Sequence, residues 1–104
     1  SHAESKTDDE IMAALAQYDQ RVSEYQKKLK RDDDNGAFFE VQKTLCMRLI
    51  DSERMYALVK EQQVYYPYLR KRAKSLQADI QFNQGFYDIY VDKPCEDLVD
   101  TVQE

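Results

Sequence analysis

The chain has 104 residues, 42% hydrophobic and 34% charged, with a net charge of −5; that leaves room for one modest core and excludes a second domain or a disordered polyacid. Two glycines and two prolines are too few for the turns of a sandwich or barrel, and no apolar run approaches the ~20 residues of a membrane span. The composition predicts a soluble, all-α domain.

Several chemistries are missing. The single histidine, His2, sits in a Ser1-His2 start that reads as a cloning remnant. Residues 1–6 are accordingly expected to be a tag remnant and flexible lead, with one helical domain over 7–104. Setting His2 aside removes histidine-ligated zinc and histidine-activated nucleophiles. Gly36 and Gly85 alone cannot build a glycine-rich phosphate loop. Among twenty acids no pair stands out as an acid/base couple. No catalytic residue, metal or cofactor site is expected, and the chain reads as a binding protein rather than an enzyme.

Thr7-Asp8-Asp9-Glu10 is a capping-box pattern, with acids suited to the positive end of a helix. Ile11, Leu15, Tyr18, Val22, Tyr25 and Leu29 then recur at alternating spacings of four and three. That stripe predicts a helix packed inside the molecule, with a dimer seam as the alternative. Lys27, Lys28, Lys30 and Arg31 favour its carboxyl end, and Asp32-Asp33-Asp34-Asn35-Gly36 stops it. The acidic run fails as a calcium loop: with Gly36 at loop position six, Arg31 and Gln42 fall where the first ligand and the bidentate glutamate belong.

A second helix is predicted from near Ala37 to about Tyr65, its face made by Phe38, Val41, Leu45, Leu49, Tyr56 and Val59. Cys46, Ile50, Met55 and Leu58 widen the band, which marks the central helix. Pro67 ends or kinks it at Tyr66. A third helix opens near Pro67 with Leu69, Ala73, Leu76, Ile80 and Asn83 on one face, and Gly85 is expected as its left-handed cap. Phe86 to Val91 has strand-like content but no strand to pair with, so an extended segment or a helical turn over the bundle is expected. Asp92-Lys93-Pro94-Cys95 then caps a short final helix carrying Leu98, Val99 and Val102. The sum is a small antiparallel bundle of three to four helices with a short C-terminal helix.

Cys46 and Cys95 are open to two readings. In an oxidising compartment they pair and pin the tail to the middle helix; in the cytosol they remain thiols. Ala3-Glu4-Ser5-Lys6 suits a mature start exposed by signal-peptide removal, which favours a periplasmic, bonded form over a cytoplasmic one.

Charge is unevenly spread. Residues 67–84 carry four cations against Asp79, and residues 85–104 carry six acids against Lys93. The net sign opposes nucleic acid and anionic lipid. Tyr65, Tyr66 and Tyr68 beside Arg70, Lys71, Arg72 and Lys74 could describe a stacking platform, but a filled helix corner with a solvated basic face explains them as well. The candidate partner-binding residues are Tyr87, Asp88, Tyr90, Asp92, Glu96 and Asp97, with Asp100 beyond them: tyrosines anchor interfaces, and clustered acids steer a basic protein. A bundle this small is hard-pressed to hide its eight tyrosines and four phenylalanines, which leaves a homodimer open.

A compact, acidic, helical chain with two distant cysteines, a start suited to export and no catalytic set resembles the small periplasmic immunity proteins of bacterial type VI secretion. It is most similar in character to the helical class that protects against a muramidase-type effector carried on a spike protein. The resemblance spans the whole chain in these general features and assigns no residue a role. It implies a basic secreted hydrolase as partner, its cleft occluded by a rigid surface, with a monomer and a homodimer both open as the form that presents it. Two rivals stand beside it: an adaptor bundle of an envelope assembly, and a cytosolic acidic decoy that imitates nucleic acid.

Overall fold

The computed structural model describes residues 4–99. It is all-helical over that range: α1 (Asp8–Asp34), α2 (Phe38–Gln62), α3 (Leu69–Tyr90) and a one-turn α4 (Glu96–Val99). Successive long helices run antiparallel, and α2 is central. Both α1 and α3 pack on it, and among the described residues they make no close backbone approach to one another. The result is a rod of 44 × 26 × 26 Å.

Local chemistry sets the ends of α1. The Thr7 hydroxyl accepts from the Glu10 N–H at 3.1 Å, and the Glu10 carboxylate accepts from the Thr7 N–H at 3.2 Å. Those bonds hold the Glu10 carboxyl below its ordinary range, through the backbone bond first. At the other end Gly36 takes φ +69°, a backbone state that costs glycine little, and the chain reverses into α2.

The heptad stripe is intramolecular. Ile11, Leu15 and Tyr18 are buried with Met55, Val59, Leu69, Ala73 and Leu76, which joins the amino-terminal halves of α1 and α3 to the carboxyl half of α2. The buried Tyr18 hydroxyl meets the Ser52 hydroxyl at 2.7 Å. One turn on, Asp51 accepts two bonds from Arg21, at 2.7 and 2.9 Å, and one from Tyr25 at 2.9 Å. Burial, then that carboxylate, pushes the Tyr25 phenol up to about 12. A second cluster of Leu45, Cys46, Val91 and Leu98 lies at the opposite end. There Cys46 and Cys95 form a disulfide across 49 residues, with Cα atoms 5.4 Å apart. The staple holds α4, whose only close backbone approach to another helix among the described residues is to α2.

The Lys6 N–H donates to buried Gln62, Gln62 donates to the Glu4 carbonyl, and Tyr66 donates to the Lys6 carbonyl. Four expectations are corrected. α2 ends at Gln62 rather than near Tyr65, because the N–H groups of Tyr65 and Tyr66 both turn back to the Gln62 carbonyl ahead of Pro67. α3 opens at Leu69, with Pro67 in the preceding turn. Phe38, assigned to the buried face of α2, is 67% exposed. Gly85 is no cap: α3 runs through it to Tyr90, and Phe86 to Tyr90 are helical. With no strand beside them, continuing the helix is what satisfies their backbone groups. The helix stops where Val91 turns extended, three residues before Pro94. Val102 and Asp100 lie outside the described residues.

The position of Gly85 makes a sharp prediction. A Cβ there meets nothing within 4 Å, and glycine inside a helix costs roughly 0.5–1 kcal/mol relative to alanine. Gly85→Ala should therefore raise the melting temperature by a few degrees; a glycine in a left-handed cap would give a fall instead.

Candidate functional site

The last turns of α3 carry two surfaces, one on each side. On the first, Tyr87 is half-buried, lining a shallow groove of about 370 Å³ with Leu49, Ile50, Glu53, Gln84, Cys95 and Glu96. Its hydroxyl donates to the Lys93 carbonyl. Burial raises the Tyr87 phenol above its ordinary value, and the negative charges of Glu96, Asp88, Asp92 and Asp97 add to the rise. The four acids therefore surround one phenol, all of them exposed. Asp88 accepts from Gln84 at 2.9 Å. The fold brings together five of the six candidate residues, with α3 supplying two, the following loop Asp92, and the disulfide-held turn Glu96 and Asp97.

Tyr90 belongs to the other surface. It is 54% exposed and lines a trough of about 450 Å³ whose floor is α2 (Phe38, Val41, Leu45, Arg48). Leu29, Lys30, Asp33 and Asp34 of α1 form one wall; Phe82, Asn83, Phe86 and Tyr90 of α3 form the other. Phe82 and Phe86 meet edge-on at 5.1 Å, and Phe86 stacks on Tyr90 at 6.3 Å. Phe82 and Ile89 are 67% and 75% exposed. At the amino-terminal ends α1 and α3 are bridged by the Arg72–Asp19 ion pair and the Tyr68–Asp8 hydrogen bond. Their carboxyl halves lack such bridges among the described residues, and the trough occupies the gap.

Sequence reasoning missed the trough and Glu53. The spacing of Phe82, Phe86 and Ile89 at i, i+4 and i+7 is an apolar row offset from the Leu69–Asn83 face, and it was the available clue. The basic segment is divided: Arg72 pairs with Asp19 of α1, not with the acidic tail, whereas Arg70 and Lys74 line a separate shallow groove with Tyr56 and Lys60.

Among the described residues no three His, Cys, Asp or Glu side chains are grouped to hold a metal, and no helix is long and apolar enough to cross a membrane. Compared with known protein families, with curated proteins and with solved structures, the chain matches none.

Proposed function

We propose that the chain is a non-catalytic protein-binding module of an oxidising, periplasm-like compartment, an immunity-type inhibitor that occludes the cleft of a basic cell-wall hydrolase. The observation that carries this reading is the adjacency of an exposed acid cluster and an uncovered aromatic trough on the same turns of α3. Clustered acids accelerate encounter with a basic protein, and aromatic side chains supply the contact area that slows dissociation. The disulfide keeps α4 in place before contact, so little ordering entropy is lost on docking. An adaptor bundle would use the trough but has no need of steered encounter. The nucleic-acid decoy fits less well, since it requires free cysteines and both are bonded.

The test is association kinetics with a basic secreted cell-wall hydrolase, sought first in the reading frames that flank this gene. Asp88→Lys together with Asp92→Lys should slow association about tenfold or more at low salt, with the melting temperature nearly unchanged. The difference should shrink towards ~1 M salt, where screening acts within ~3 Å. An unchanged low-salt on-rate would remove the acidic surface from the interface.

A further inference from the structure

The trough has the shape of a missing helix position. Its floor residues Phe38, Val41, Leu45 and Arg48 share one face of α2, and its walls are two parallel helices that make no close backbone approach to one another among the described residues. A fourth helix laid there would complete a four-helix bundle, and amphipathic helices dock in apolar grooves through anchors at i, i+3 or i+4, and i+7.

The charges along the trough say what kind of helix fits. Arg48 lines it with its Nε buried and without a hydrogen-bond partner. On the same helix Asp51 is bound to Arg21, and Arg48 has no ion pair among the described residues. The Arg48 guanidinium is half-buried, and a carboxylate is the group that meets a guanidinium best, in bidentate fashion. At the α1 end the pattern reverses. Lys30 is neutralised by Asp34 at 3.1 Å, and Asp33 is exposed without an ion pair among the described residues. The free charges are thus one cation on the floor and one anion at the rim.

We propose that the trough receives an amphipathic helix of the partner protein. Its apolar row packs between Phe38, Phe82, Phe86 and Tyr90, a carboxylate meets Arg48, and a basic residue faces Asp33. This rests on the protein-binding reading above and adds the recognition element to it.

The probe is a labelled synthetic helix of about four turns with leucines at i, i+4, i+7 and i+11, a glutamate placed to reach Arg48 and a lysine near the Asp33 end. A scrambled peptide of equal composition is the control. The ordered peptide should bind, and Arg48→Gln should weaken it about tenfold, in line with one charge-assisted hydrogen bond. Replacing the peptide glutamate by glutamine should cause the same loss and add nothing on top of Arg48→Gln. Phe86→Ala, on an exposed wall, should weaken binding without lowering the melting temperature, which keeps the test valid if Arg48→Gln perturbs folding. Glu96→Lys, in the other groove, should leave peptide affinity within about twofold. Equal binding of ordered and scrambled peptides would overturn the inference. So would sedimentation showing a dimer that Phe86→Asp dissociates, because a second copy would then fill the trough. If the peptide fails while the hydrolase still binds, the helix proposal falls alone; if the hydrolase itself does not bind, the inhibitor reading falls.

Discussion

Cys46→Ser should cost about 4 kcal/mol, the chain-entropy value for a bond spanning 49 residues. That is a large part of the roughly 5–15 kcal/mol available to a domain of this size, and it corresponds to a fall of about 15–30 °C in melting temperature. The loss has a second source. Among the described residues the α4 backbone lies close to α2 alone, and the residues packed around the bond include Val91 and Leu98. Releasing Cys95 therefore frees the turn that carries Glu96 and Asp97 and uncovers Leu45. Reductant should lower the melting temperature of the unmodified protein and leave Cys46→Ser unaffected. Equal melting temperatures with and without reductant in the unmodified protein would show that the bond carries no stability.

The second prediction concerns the two apolar faces of α3. Leu76 is 1% exposed in the main core, between α1 and α2, and Phe82 is 67% exposed in the trough wall. Leu76→Ala should destabilise by about 2–5 kcal/mol, the transfer loss plus the cavity left behind. Phe82→Ala removes a larger side chain but no packed core, so the change in stability should stay within about 0.5 kcal/mol. Chemical denaturation of the two variants measures both. Comparable losses would mean that the trough is closed in solution and that its aromatic row is part of the core.

Much of the fold was legible because it is decided locally. The Thr7–Glu10 box, the stop of α1 ahead of Gly36 and the buried row Leu69, Ala73, Leu76 and Asn83 each follow from a few neighbouring residues. Gly85 misled because a glycine near the end of an apolar pattern suits a cap as well as an interior position. What kept the helix going was the backbone demand of Phe86 to Tyr90, which found no other partner. Phe38 misled for a different reason. Periodicity shows which face of a helix is apolar, but not whether a neighbour covers it. α1 and α3 leave Phe38 uncovered, so part of the α2 band is floor rather than core. The candidate site was half legible for the same reason. Residues close in sequence gave the acids around Tyr87, whereas Glu53 reaches them from α2 and the trough lining comes from three helices. Buried Thr44, Ser52 and Gln62 are likewise placed by the packing around them. The Ser52 partner Tyr18 lies 34 residues away and the Gln62 partner Lys6 56 residues away.

The most direct measurement is a titration of this protein into peptidoglycan hydrolysis by a basic secreted wall hydrolase, taken from the flanking reading frames if one is encoded there. The account predicts that hydrolysis falls linearly and is lost at a fixed stoichiometric ratio, while the protein alone leaves peptidoglycan intact. Full hydrolytic activity in the presence of excess protein, or cleavage of peptidoglycan by the protein itself, would contradict it.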